Sequence, residues 1–404
     1  MLGLVLEGGG AKGAYQMGAW EAFRELGLEF QAVTGTSVGA LNGALFAQGD
    51  YEQAYDLWYN LKPEQVIQGD PKAIEKLATL EVEVGDLEPL ARYVASVFSG
   101  GGLDITPLKG LISRLMDEKR LRDSAISFGM VTVSVTDFKP MELLLEEIPT
   151  GQLGDYLLAS ANLPVFKLSR LNGKLYVDGG FYDNLPVNLM ARRGIRKMVA
   201  VELQSVGIRQ PVREDGIDIT WITPSEDIGR LLEFNPEKIR RNMRLGYFDT
   251  LRVFRGLQGD RYYLEGRLPE EWGFHWLQNR DPGALKPLQE WMGLPEMDSR
   301  RFLFEMLLPA LGTLLEATPH LGYDQLVLRL FEHMAQVQGL ERLQVFQAQG
   351  FLDRVSQGLV EAAYPAPVSL VESVSRHLRQ NPLYLKARRD EILPWVLQAL
   401  MKQA

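Results

Sequence analysis

The sequence predicts an α/β fold built on a mainly parallel sheet and followed by a mostly helical C-terminal domain. Three observations predict it. The first 50 residues alternate short apolar runs with longer helical ones, in the order strand, loop, helix, strand, turn, helix, and this alternation implies parallel strands joined by right-handed crossovers. Strand-like runs recur at Phe128–Val135, Leu175–Val177, Val199–Leu203 and Ile217–Ile222. Beyond Gly256 the texture changes, and from Arg301 onward amphipathic helical spacing dominates, as over Arg301–Glu316 and Leu326–Gln338.

Leu2-Gly3-Leu4-Val5-Leu6 is almost wholly apolar, as a strand buried on both faces should be. Gly8-Gly9-Gly10-Ala11-Lys12-Gly13 follows, then a helical pattern from Ala14 to about Leu26, closed by Gly27. Phe30–Thr34 is a second strand and Val38–Gln48 a second helix, with Gly35-Thr36-Ser37-Val38-Gly39 between them. Residues 51–125 look mostly helical, broken by Pro63, Pro71, Gly85, Gly100-Gly101-Gly102 and Pro107; Leu87–Phe98 and Leu108–Met116 have amphipathic spacing. Glu142–Glu146 is expected to pair with the Phe128 strand. Tyr156–Ala161 is helical before Leu163-Pro164, and Asn172-Gly173 signals a tight hairpin turn. A helix over Pro186–Arg193 ends at Gly194. Ser225–Phe254 is helical by pattern, and residues 257–300 show no clear period. A chain of 404 residues exceeds one compact core, so two domains are expected, 1–256 and 257–404.

Composition narrows the function. Apolar content of 46% and charged content of 24% are those of an ordinary globular protein. A net charge of −9 argues against general nucleic-acid binding. The chain has no cysteine, which excludes disulfides, thiol catalysis and thiolate metal sites. Leu2–Leu6 is too short for a signal-peptide core, and no apolar run reaches the ~18 residues of a membrane span; the expected location is the cytoplasm, with peripheral contact to a membrane surface. Arg230, Lys238, Arg240, Arg241, Arg244, Arg252 and Arg255 form a locally basic stretch, but interleaved acids make a solvated helix face its simpler account.

Gly35-Thr36-Ser37-Val38-Gly39 is G-x-S-x-G between a strand and a helix, the context of a nucleophile elbow. Gly35 and Gly39 leave room for a strained serine turn, and the following helix N-terminus favours an anion on the substrate of Ser37. Gly8–Gly13 also satisfies G-x-G-x-x-G, yet the second strand ends in Val33-Thr34-Gly35-Thr36, with no acid to hold a ribose hydroxyl. The backbone amides of Gly8, Gly9, Gly10 and Val38 suit an oxyanion hole better, each such donor being worth ~3 kcal/mol of barrier. Lys12 would add positive field or simply sit at the surface. The base is Asp178, at the end of an apolar strand and followed by Gly179-Gly180, or one of His275, His320, His333 and His377 completing a triad. The histidines lie outside the sheet-forming part of the chain, which favours Asp178. A carboxylate base requires partial desolvation to raise its pKa.

Gly8–Gly13, Gly35–Gly39 and Asp178–Gly180, with Ala159-Ser160-Ala161-Asn162-Leu163-Pro164 and Asp183-Asn184-Leu185-Pro186-Val187, resemble the signature motifs of the patatin-like phospholipase family, in a bacterial form with an additional C-terminal helical region. The resemblance covers residues 1–205 and fades toward 256. It implies a three-layer α/β/α fold, lipid acyl-ester hydrolysis through a Ser-Asp dyad, and no required metal or cofactor. By position, it makes Ser37 the nucleophile, Asp178 the proton acceptor and Gly8–Gly10 the oxyanion loop, with Lys12, Gly13, Gly35, Gly39, Gly179 and Gly180 as motif positions. A large apolar substrate calls for a groove or cover, and residues 61–125 are the lid candidate. Two other functions fit parts of the pattern: a nucleotide-binding or scaffolding module without hydrolase activity, and an acyltransferase using the same dyad.

Overall fold

The computed structural model describes residues 1–68, 102–167, 170–317, 321–367 and 382–401. The chain divides into two compact units, Met1–Val253 and Phe254–Ala404. The first holds an eight-stranded mixed sheet flanked by helices: β1 (Leu2–Leu6), β2 (Ala32–Thr36), β3 (Ser127–Ser134), β4 (Lys139–Leu144), β5 (Arg170–Leu171), β6 (Lys174–Asp178), β7 (Lys197–Val201) and β8 (Asp218–Ile222). Their order is β5-β6-β3-β2-β1-β7-β8, with β4 also paired to β3. β3, β2, β1, β7 and β8 are parallel, whereas β4 and β6 run antiparallel to β3. Leu4, Val5 and Leu6 are at most 3% exposed, which explains why β1 carries no polar alternation.

The register of β3 positions the site. Its residues 127–131 pair with β2, and residues 132–134 pair with β6. β4 pairs with residues 129–134 and so overlaps both. A strand has only two edges, so β2 and β6 share one of them, end to end. Thr36 faces Val131 and Asp178 faces Thr132, and successive strand residues lie ~3.3 Å apart. Asp178 therefore stops where Ser37 begins.

Helices α1 (Ala14–Glu25), α2 (Val38–Gln48), α3 (Tyr51–Tyr59), α4 (Thr106–Leu115), α5 (Leu153–Ser160) and α6 (Pro236–Arg255) surround the sheet or extend from it. All of α2 except Leu41 is buried. A satisfied polar chain ties α1, α2 and α3 together: Trp58 Nε1 donates to Asn42 Oδ1 at 3.0 Å, Asn42 Nδ2 to Gln16 Oε1 at 2.8 Å, and Gln16 Nε2 to the Glu7 carbonyl at 2.7 Å.

The helix expected from Ser225 starts only at Pro236. Proline keeps the residue before it out of the helical region, and Asn235 Oδ1 instead accepts the amides of Glu237 at 2.9 Å and Lys238 at 3.2 Å. The basic stretch is largely paired, Lys238 with Glu233, Arg241 with Glu226 and Arg252 with Asp249. The Leu87–Phe98 segment and Gly100-Gly101 lie outside the described residues.

The second unit is mostly helical around a core that includes Phe302, Phe331, Phe351 and Leu393. It also contains a two-stranded parallel sheet, β9 (Tyr263–Glu265) with β10 (Val345–Gln347). Residues 257–300 hold helices at Trp272–Gln278 and Pro282–Trp291, each too short to show a clear period. Among the described residues no helix is long and apolar enough to cross a membrane.

Candidate active site

Ser37 joins β2 to α2 with φ 57° and ψ −127°, a left-handed conformation that costs a non-glycine residue about 1–3 kcal/mol. Its neighbours explain how the turn is held. A Cβ on Gly35 would lie 2.2 Å from the Gly39 carbonyl oxygen, and one on Gly39 would lie 2.3 Å from that of Leu6. Strand, turn and helix thus meet at backbone contact distance. The Ser37 amide donates to Ser160 Oγ at 3.0 Å, and Ser160 Oγ donates to the Val131 carbonyl at 2.7 Å. The last residue of α5 therefore pins the elbow to β3.

Asp178 ends β6, a strand that runs antiparallel to β3. It is 3% exposed, and its Oδ1 accepts the Gly180 amide at 2.7 Å. Burial pushes its carboxyl up to about 6, against stabilisation of the charge by the Ser37 hydroxyl and the Gly180 amide. Oδ2 is buried and meets no hydrogen-bond donor. No closed hydrogen bond joins Asp178 Oδ2 to the Ser37 hydroxyl, as is common in unliganded sites, where such bonds tighten only with substrate. Gly179 packs against Val131 so closely that a Cβ would sit 2.3 Å from its carbonyl oxygen.

The glycine loop departs from expectation at one position. The Gly8 amide donates to the Asn184 carbonyl at 3.0 Å and is not available to an oxyanion. The amides of Gly9, Gly10 and Val38 meet no acceptor among the described residues. Gly10 and Val38 line one cleft with Ser37, and Val38 opens the positive end of α2. Lys12 is partly buried: its Nζ donates to the Gln204 carbonyl at 3.1 Å, and burial lowers its pKa. Glu7, fully buried, accepts from Arg209 at 2.9 Å and from the Leu203 amide, and burial raises its carboxyl above the ordinary value. Asn184 Nδ2 donates to the Gly8 carbonyl at 3.2 Å. Glu7, Arg209 and Asn184 thus brace the loop. Ser160 and Asn184 were legible only as parts of the family-like segments; Glu7 showed itself only as an acid closing an apolar strand.

An apolar cleft opens on Ser37. Apart from Ser37 and Asn42 its lining side chains are apolar, including Leu41, Leu57, Leu111, Ile112, Phe166 and Phe234. α4, the second of the amphipathic segments proposed as a lid, supplies one wall through Leu108, Leu111, Ile112 and Leu115. His275 and His333 belong to the second unit, and His320 and His377 lie outside the described residues. Among the described residues no group of His, Asp and Glu side chains is placed to hold a metal ion.

Fold and site together define an α/β protein with a buried serine elbow beside a buried carboxylate. Residues 4–191 match the family model described as patatin-like phospholipase. Lysophospholipase NTE1 of Kluyveromyces lactis is 29% identical over 259 residues, which cover 61% of this chain and 16% of that protein. Patatin-like phospholipase domain-containing protein 7 of Mus musculus is 27% identical over 207 residues, 50% of this chain and 14% of that protein. The chain thus matches only a small part of these relatives' length. The crystal structure of VipD from Legionella pneumophila aligns over 99% of this chain and 90% of its own, at 15% identity and a TM-score of 0.36; at that score the fold rests on the strand order itself.

Proposed function

We propose that the protein is a serine lipid acyl hydrolase of the phospholipase A, lysophospholipase or esterase type, with its catalytic domain at residues 1–256 and a separate helical domain at 257–404. One observation carries this reading: Ser37, on a strained elbow beside the buried Asp178, opens into an apolar cleft. Ser37 Oγ attacks the acyl carbonyl carbon as Asp178 takes its proton. The amides of Gly9, Gly10 and Val38 hold the oxyanion. Collapse of the tetrahedral intermediate expels the alcohol, which receives the proton from Asp178, and water resolves the acyl-enzyme with Asp178 again as base. A fluorophosphonate probe tests the nucleophile: wild type is expected to label, and Ser37→Ala is expected to give no adduct. Saturable nucleotide binding with an unlabelled Ser37 would instead favour the nucleotide-binding module. Transfer to an alcohol other than water uses the same steps and shows in the products.

Ser160 is a positioning residue in this reading. Ser160→Ala removes the acceptor of the Ser37 amide and leaves a buried donor unpaired, a loss of about 1–3 kcal/mol. The expected result is a kcat lowered about tenfold to a hundredfold with KM nearly constant, and recovery of most of that loss in Ser160→Thr, which keeps the hydroxyl. Equal changes in kcat and KM, or no recovery with threonine, would count against the role.

A further inference from the structure

The second unit contains a cavity of about 200 Å³ lined by Asp260, Arg261, Glu316, Arg329, Glu332, His333 and Arg389, with Leu315. Most of its charges are matched. Arg329 pairs with Asp260, Arg261 donates to Gln336, and Glu316 stands 3.6 Å from Lys386. The Glu332 carboxylate accepts the amides of Asp260, Arg261 and Tyr262 at 3.2, 2.9 and 2.8 Å. Two side chains are left over. His333 is buried, and neither ring nitrogen has a hydrogen-bond partner. Arg389 has a buried, unpartnered Nε, and its side chain makes no hydrogen bond or ion pair among the described residues. Asp390 stands 3.5 Å from His333 Nε2, but it is 84% exposed.

We infer that this cavity binds a small oxyanion of the phosphate class between Arg389 and His333. An unpaired buried donor is costly unless a ligand or water completes it. Guanidinium donates only, so its missing partner is an acceptor, and its fork matches oxyanion geometry. Burial and the neighbouring Arg389 keep the imidazole neutral, lowering its pKa to about 4. It therefore offers one N–H and one lone pair. A phosphate that retains a proton serves both, accepting from guanidinium and imidazole or donating its own hydroxyl to the ring. Arg389 also begins the helix Arg389–Met401, whose positive end adds to the attraction. A metal cation would find no free carboxylate here, because Asp260, Glu316 and Glu332 already have partners.

The test uses the full chain and inorganic phosphate at constant ionic strength, with chloride as the compensating anion. Calorimetry is expected to show saturable binding. NMR is expected to show the imidazole signals of one histidine shifting, the one absent from His333→Gln. Arg389→Gln, checked for folding by circular dichroism, is expected to weaken binding about tenfold, the loss of one charge-assisted hydrogen bond. Should that variant fail to fold, the imidazole shift in wild type decides alone. Glycerol 3-phosphate binding tighter than inorganic phosphate identifies a phosphomonoester as the occupant, and equal binding identifies free phosphate. Absence of both saturable heat and an imidazole shift in wild type, or undiminished binding by folded Arg389→Gln, overturns the assignment.

Discussion

Asp178→Asn is expected to abolish ester turnover, by a factor on the order of 10⁴ or more, while making the protein more stable above pH 7. The two effects share a cause. The Asp178 carboxyl is pushed up to about 6 from an ordinary 3.8, so folding favours its protonated form. Its favourable contribution is complete below pH ~4 and is lost as pH rises through 6; above that, holding the buried carboxylate ionised costs about 3 kcal/mol. Asparagine keeps an acceptor for the Gly180 amide and never ionises. The Tm difference between Asp178→Asn and wild type should therefore be small at pH 4, grow between pH 4 and 7, and then level off. Wild-type turnover should rise over the same window, because only the carboxylate can accept the Ser37 proton. Asp183, fully buried and pushed up to about 7, adds its own loss of stability with rising pH to both proteins and cancels in the comparison. Retained turnover in Asp178→Asn, or a variant less stable than wild type at pH 8, would sink the assignment of Asp178 as base.

Gly39→Ala is expected to be the most damaging single-methyl change in the catalytic unit. The added carbon would lie 2.3 Å from the Leu6 carbonyl oxygen and 2.7 Å from that of Glu7. Neither can yield cheaply, because Leu6 is paired on both sides, to Gly35 and to Val201. Separating α2 from β1 would also move Val38 and Ser37. The expected outcome is a loss exceeding ~4 kcal/mol or failure to fold, with no fluorophosphonate labelling of any soluble fraction. Gly27→Ala is the control: φ is +65°, but nothing lies within 4 Å of the new carbon, so the loss should stay near ~1 kcal/mol and labelling should persist. Gly39→Ala with wild-type Tm and labelling would contradict the close approach of strand and helix.

Much of this unit was legible because its signals are local. Val38–Gln48 is a helix over the range its composition indicates. Asn172 and Gly173 both take positive φ, 52° and 77°, in the turn their pairing announces. The second strand runs Ala32–Thr36, two residues later than Phe30–Thr34, because β-branched and glycine residues at its end continue the ladder with β3. The helical pattern from Ser225 does not show that Asn235-Pro236 sets the start of the helix, because a proline keeps the residue before it out of the helical region.

The sequence by itself determined which backbone conformations are accessible: a glycine-framed serine turn, bare amides after β1, and a buried acid closing β6. Only the tertiary structure decided which of these groups meet and which amides remain free. Ser160 reaches the Ser37 amide across 123 positions, and Asn184 engages Gly8 across 176. The reason is physical. Dihedral preference is set by adjacent residues, whereas hydrogen-bond partnership is set by sheet register, and the edge of β3 that β2 and β6 share brings Ser37 to Asp178.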